Sequence, residues 1–395
     1  MTDAAPPALR LRRAALALAA LAALASPEQG TAGISTNVAG SVYVDYWGVT
    51  GVALPGKPSP DAGAISGRIP DGITYEAALK IGAEIHDDLT FSAKVCAGCH
   101  GIDVEHVVLE YMPSPKFNVQ AGRLALPFGE HSQRVDQSGH RPVSAPLIYD
   151  MGRMPYAERT ALNMGVIPLP YVDNGVMVFG QFFIGHRVQT WYGAYVVGGF
   201  KGANDVDFIA MRSQPFGDNN RVPALGGRVA LTWAADAGDF VGDSSLGVSG
   251  VAGRYDKDGK HGYLVWGADA ALRIWRLTLR GEYAERRTDL NPDAPGYGYQ
   301  VVDPWSLKRG WYAELEHRIG SAVALAYRYD ELRRVGVPLP GSQAGLSPDS
   351  RMRRFTVGAV LAPVAATFLK LSAEYCEATD FQSFLSYHVG VGGAF

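Results

Sequence analysis

The sequence predicts an all-β chain: a transmembrane antiparallel β-barrel of about sixteen strands with long extracellular loops. Three observations predict it. Apolar and polar residues alternate with a period of two in segment after segment. Short connections take turns with long ones along the chain. An N-terminal export segment is followed by no apolar run of the roughly 18 residues that a membrane helix needs.

Composition narrows the alternatives. The 395 residues are 47% hydrophobic and 19% charged, with 47 Gly, 24 Pro, 19 Tyr and 3 Cys. Charge this low beside so many aromatics excludes a disordered chain. Three cysteines cannot build a disulfide scaffold. The 36 basic and 39 acidic residues leave a formal net charge of -3, which offers no field for nucleic acid.

From the N-terminus, residues 1–25 read as a signal peptide. Arg10, Arg12 and Arg13 form a basic region, Ala14 to Ala25 an apolar run, and Ala23-Leu24-Ala25 a small-x-small cleavage pattern. The run is too short to span a bilayer. Cleavage would leave 26–395 in an oxidising compartment. An exported chain without a helical anchor is either soluble or a closed barrel. The soluble alternative is a β-sandwich or propeller, and no repeat of fixed period supports the propeller.

The strands follow. In 275–283, Trp275, Leu277, Leu279 and Tyr283 alternate with Arg276, Thr278, Arg280 and Glu282. In 323–330, Val323, Leu325, Tyr327 and Tyr329 alternate with Ala324, Ala326, Arg328 and Asp330. In 367–376, Leu369, Leu371, Ala373 and Tyr375 alternate with Lys370, Ser372, Glu374 and Cys376. The apolar set is expected to face lipid and the polar set the lumen. Short connections are expected near His86–Asp88, Met112–Lys116, His186, Ala235–Asp239, Arg273, Arg318–Ser321 and Ala362–Thr367. Distal ones are expected at 50–72, 98–101, 130–174, 200–222, 256–260, 288–308, 333–350 and 377–382. These boundaries yield sixteen strands with both ends periplasmic, and their error leaves fourteen or eighteen open. The inward charges, Arg276, Arg280, Arg328 and Lys370 against Glu282, Asp330 and Glu374, predict a wet interior with no strong preference for one sign of ion.

The chemistry lies in Cys96-Ala97-Gly98-Cys99-His100. C-x-x-C-H is the attachment signature of a c-type haem: two thiols add to the porphyrin vinyl groups and the adjacent His supplies the proximal nitrogen. With 3 Cys and 9 His in the chain, roughly 0.0003 such strings are expected by chance. A Cys96–Cys99 disulfide remains an alternative in this compartment. A zinc site lacks a second ligand pair, and a thioredoxin-like role lacks its βαβ context. Strand parity sets Phe91, Ala93 and Val95 outward, so Thr90, Ser92, Lys94 and Cys96 face the lumen. The motif thus caps a hairpin around 89–112, on the extracellular side.

The 130–174 connection is unusually long, and a loop of that length can fold inward and narrow a lumen. It contains His131, His140, Met151, Met154 and Met164. His and Met are the usual distal iron ligands, so His140, Met151 and Met154 are candidates for that place. His106 is another, being inward if Val107 is outward. A five-coordinate iron needs none of them. Cys376 falls on the inward set as a lone thiol.

Two strand endings carry a family resemblance. Leu385, Tyr387, Val389 and Val391 alternate up to Phe395 and resemble the terminal strand of Gram-negative outer-membrane proteins. Gly122-Arg123-Leu124-Ala125-Leu126-Pro127-Phe128-Gly129 looks like a strand ending of phosphate-selective-type porins. With the haem motif added, the chain resembles in outline the fused cytochrome–porins of iron-oxidising bacteria. In those proteins the motif lies nearer the mature N-terminus. Soluble cytochromes c set it on a short helix, whereas here it interrupts strands Leu89–Val95 and Ile102–Tyr111.

The resemblance implies an outer-membrane protein with one covalent haem c. Cys96 and Cys99 would hold it, and His100 would be its proximal iron ligand. It would pass electrons between an extracellular donor or acceptor and a periplasmic cytochrome. The apolar band is about 25 Å tall, so one iron cannot span it and the partner cytochrome would enter the lumen. The alternative is a haem-free porin for passive diffusion, with Cys96–Cys99 as a disulfide. A haem sensor or scavenging receptor is a third option, although nothing resembles a plug domain. Sixteen-stranded porins also suggest a homotrimer in outer-membrane lipid.

Overall fold

The computed structural model describes residues 34–51, 72–98, 101–134, 142, 144–150, 165–203, 205–208, 211, 217–236, 238–293, 304–336, 349–362, 364–379 and 383–395. The segment 1–25, and Cys99, His100, His140, Met151, Met154 and Met164, lie outside the described residues.

Period-two segments become strands because each can turn one face to lipid and the other inward. Sixteen close into an antiparallel barrel in chain order. They are β1 (Ser35–Gly51), β2 (Ile73–His86), β3 (Leu89–Gly98), β4 (Gly101–Ser114), β5 (Phe117–Ala125), β6 (Val172–Ile184), β7 (Val188–Val197) and β8 (Ala224–Trp233). The second half is β9 (Ser244–Arg254), β10 (Gly262–Ile274), β11 (Leu277–Asp289), β12 (Trp305–Arg318), β13 (Val323–Val335), β14 (Asp349–Leu361), β15 (Thr367–Ala378) and β16 (Phe384–Ala394). The first and last strands close the ring, in a register that runs from Ser41 opposite Ala394 to Gly51 opposite Phe384. Gly40 and Phe395 extend the pairing with two reciprocal backbone hydrogen bonds of 2.9 Å.

One end of the barrel carries the connections 87–88, 115–116, 185–187, 234–243, 275–276, 319–322 and 362–366, together with the start of β1 and the end of β16. The other carries 52–72, 99–100, 126–171, 198–223, 255–261, 290–304, 336–348 and 379–383. The turn expected at Arg273 falls instead on Trp275 and Arg276. Trp275 has φ 52°, a left-handed conformation that ends a strand, so it does not begin β11 as its apolar character suggested. Among the described residues, no helix is long and apolar enough to cross a membrane.

The outer face is apolar. Val42, Val44, Leu264, Leu279, Val357 and Val389 are exposed, and alternate with inward residues that are buried. A continuous apolar belt of this kind is stable against lipid and not against water. Trp266 contacts Tyr283 at 5.1 Å, Trp311 contacts Tyr329 at 5.1 Å, and Tyr329 contacts Phe355 at 4.9 Å. Tyr283 lies opposite Trp311 in the register, so β10 to β14 share one aromatic girdle. Its hydroxyls point to charge: Tyr283 donates to Glu285 at 2.7 Å and Tyr329 to Glu331 at 3.1 Å. Rings in hydrocarbon with hydroxyls on carboxylates mark a membrane–water boundary toward the long-loop end.

Candidate functional site in the barrel lumen

The chain leaves the wall after Ala125 and returns at Val172, and the described part of that excursion lies inside the lumen. Phe128, Leu147, Ile148, Val166, Ile167, Leu169 and Tyr171 are buried in one apolar cluster. Burying them carries backbone amides and carbonyls out of water, and those groups require partners. Two short segments, Tyr149–Asp150 and Ile167–Pro168, pair with each other in parallel. The barrel wall supplies much of the rest.

The wall partners are charged. Asp330 accepts from the Leu147 amide at 3.0 Å and holds Arg328 at 3.0 Å and Arg354 at 3.2 Å. Arg328 donates to the Ser144 carbonyl at 2.9 Å and to its hydroxyl at 2.7 Å. Glu374 accepts from the Ser144 hydroxyl, and from Ser386 at 3.2 Å. Glu282 accepts from the Tyr149 hydroxyl at 2.5 Å and from the Tyr312 hydroxyl at 3.4 Å. Arg228 makes a bidentate pair with Asp269, one arm at 2.8 Å, and donates to Ser249 at 3.0 Å, which in turn accepts from the Gly129 amide at 3.1 Å. Gly129 has φ 67°, and a Cβ there would collide with the Glu282 carboxylate. Only glycine lets the loop pass so close.

The wet interior expected from these wall charges is therefore corrected along this side. Glu282, Arg328, Asp330 and Glu374 are buried because the loop has taken the place of water, while Lys370 is buried over the Tyr43 and Phe368 rings of the wall.

A second connection, 198–223, adds to the filling. Phe200 stacks on Tyr263 at 4.5 Å, and Arg286 lies 4.8 Å over Phe208 while donating to the Val166 carbonyl at 3.1 Å. Asp205 pairs with Lys308 at 3.1 Å. Burial pushes the Asp205 carboxyl up, but Lys308 and Arg286 outweigh it and hold it below its ordinary value. His131 is enclosed by Tyr149 at 5.2 Å and Tyr312 at 6.3 Å. Burial first, then Arg134, Arg328, Lys370 and Arg280, hold its ring well below the usual histidine range and keep it neutral.

The β1–β4 wall differs. Its inward side chains toward the turn end are small or polar and reach water. Asn37, Ala39, Lys80, Gly82, Glu84, Thr90, Ser92 and Glu110 border a cavity of about 390 Å³. Lys80 and Glu84 are exposed, and Thr90, Ser92 and Glu110 half-buried.

Cys96 lies on this same side, nearer the long-loop end. It is buried and inward, opposite Ala78 on β2 and Asp103 on β4. Beside it Lys94 pairs with Glu105 at 2.5 Å, at a bulge in β4. His106 sits opposite Lys94 in that register and is half-buried. His131 belongs to the β11–β12 wall, across the barrel from β3. Cys96 and Cys376 are not joined to each other.

The described part of the haem motif, Cys96–Gly98, is extended and paired with Gly101–Asp103. A helical turn sets residues three apart about 5–6 Å from each other on one face, and that turn is not formed in 96–98. The direction of one thiol suits a porphyrin in the lumen, but the backbone does not match the helical attachment. Among the described residues, no group of three His, Cys, Asp or Glu could hold a metal ion. Sequence reasoning allowed the loop an inward fold, but missed the wall it docks on and the charged partners there. The one local signal of that docking is the apolar content of Ala145-Pro146-Leu147-Ile148-Tyr149 inside a connection.

No protein-family model matches the chain. An uncharacterized protein of Aquifex aeolicus (strain VF5) is 27% identical over 193 residues. That match covers 48% of this chain and 39% of the other, so this chain spans about two fifths of that relative's length. Among solved structures, an anion-selective porin from Comamonas acidovorans aligns over 92% of this chain and 100% of its own, with TM-score 0.55 and 12% identity. The outer membrane channel DcaP of Acinetobacter baumannii aligns over 94% and 100%, with TM-score 0.53 and 12% identity. The outer membrane protein OmpT of Vibrio cholerae, folded in vitro, aligns over 94% and 100%, with TM-score 0.52 and 9% identity. At these identities the likeness is one of fold: a sixteen-stranded, porin-like outer-membrane barrel.

Proposed function

We propose that this protein is an outer-membrane channel for passive diffusion of small hydrophilic solutes, with its path confined to the β1–β4 side of the lumen. One observation carries the reading: a water-facing polar wall stands across from a wall sealed by an inward loop. A constricted lumen with charges of both signs along its free side lets hydrated solutes exchange contacts with Lys80, Thr90, Ser92 and Glu110 as they pass. The apolar belt and aromatic girdle support an outer-membrane setting, and the export signal is consistent with it.

A second reading has one observation in its favour, the inward direction of Cys96. Cys96 and Cys99 would hold one haem c with His100 as its proximal ligand. The group would supply a one-electron carrier, with a periplasmic cytochrome and an extracellular donor or acceptor as partners.

One preparation tests both. The purified protein is reconstituted in planar bilayers, and its absorbance spectrum is recorded. The expected result is a small, discrete conductance from colourless protein. A non-conducting protein with one haem per chain, lost in Cys99→Ala while the barrel still inserts, would replace the channel with the redox reading.

A further inference from the structure

We propose that the turn-end mouth of the lumen contains a binding site for a small oxyanion, phosphate or carboxylate, built by Arg273, Arg276 and Arg318. The proposal rests on the lumen being a solute path and names the class of solute that its mouth would collect.

The site is a cavity of about 330 Å³ bordered by Arg273, Trp275, Arg276, Thr278, Arg318, Gly320 and Ser321. It belongs to the lumen side. Buried Asp269 puts the odd positions of β10 inward, buried Thr278 and Glu282 the even positions at β11, and buried Glu314 and Glu316 the even positions of β12. Arg273 and Arg318 continue those inward rows to the end of the wall, and Arg276, in the turn between β10 and β11, borders the same cavity as inward Thr278.

Their electrostatic state sets them apart. One step further in, Arg280 is surrounded by carboxylates: Glu316 at 3.0 Å, Glu130 at 3.6 Å and Glu314 at 3.8 Å. Arg328 and Arg354 are likewise paired. At the mouth, Arg318 shares Glu316 at 3.0 Å. Among the described residues, neither Arg273 nor Arg276 has a carboxylate in ion-pair range. Arg276 donates to the Ile319 carbonyl at 3.1 Å and lies 4.8 Å from the Trp275 ring, which fixes its plane. The Arg273 guanidinium rests where a Cβ on Gly242 would be, so the missing side chain makes room for it. Two held guanidinium groups with unspent donors match an oxyanion's geometry, and the Ser321 hydroxyl adds a neutral donor.

The test uses inorganic phosphate and the full-length protein in a non-ionic detergent without phosphorus, read by line broadening of the phosphate ³¹P resonance at low salt. Wild type is expected to broaden the resonance. Arg273→Gln/Arg276→Gln is expected to weaken binding about a hundredfold or more, because two charge-assisted hydrogen-bond partners are lost together. Retention of the heat-dependent gel shift of a closed barrel verifies its fold. Arg318→Gln, a milder change, is expected to give a smaller loss of the same sign. Equal broadening by wild type and double variant overturns the proposal. So does a purified protein that carries phosphatidylglycerol, loses it in the double variant and broadens free phosphate in neither form, for then the arginines clamp a lipid headgroup. Phosphate binding by a protein that conducts no ions would remove the channel reading and leave this site standing.

Discussion

The β11–β15 wall and the turn-end half of the β1–β4 wall are built from the same alternating strands, and both turn charged residues inward, yet the charges do opposite things. On the first, Asp330, Arg328, Arg354 and Glu374 are buried in pairs and hold the backbone of 144–147. On the second, Lys80 and Glu84 stay in water beside a cavity. An inward charge is therefore a pore-lining group only where no loop backbone reaches it. Where one does, the charge becomes an anchor, because a desolvated peptide amide and a desolvated carboxylate each need what the other offers.

That contrast can be broken or sharpened by substitution. Asp330→Ala has the largest expected effect. It leaves Arg328 and Arg354 without their shared partner and the Leu147 amide without its acceptor, at about 3–5 kcal/mol. Denaturant unfolding should show the loss, and bilayer recordings a larger conductance as the loop loosens. Gly129→Ala comes next, at about 1–3 kcal/mol, because the new methyl must displace the Glu282 carboxylate. A melting-temperature shift checks it. Lys80→Glu should change stability by no more than about 0.5 kcal/mol, while moving the zero-current potential toward cation selectivity. If Lys80→Glu destabilised the barrel as much as Asp330→Ala, the two walls would not differ as described.

Much of the barrel was readable from residues because a strand's facing is decided locally. The parity that set Cys96, Arg328 and Glu374 inward needs only alternating neighbours and one buried face. Trp275 misled the turn placement, since a tryptophan in a left-handed turn has no sequence signal of its own. An inward fold of the long connection was readable from its length, but the wall it docks on and the partners it finds there were not. The Ser144–Glu374 and Tyr149–Glu282 hydrogen bonds join residues 230 and 133 positions apart, and nothing local to a strand says whether its carboxylate will meet water or a returning loop. The cysteine motif is an opposite case: the haem expectation rests on five consecutive residues, of which the described three, Cys96–Gly98, are extended in β3.

The pairing of β1 with β16 has a consequence for how the molecule is made. The first strand and the last are neighbours, so the cylinder cannot shut until nearly the whole polypeptide has been delivered. Bringing such distant segments together costs entropy that grows only with the logarithm of the span. A far heavier penalty falls on the unfinished ribbon, whose two bare edges would meet hydrocarbon with their amides unbonded. Assembly should therefore be governed by one late, all-or-none zippering event that sets Phe395 beside Gly40.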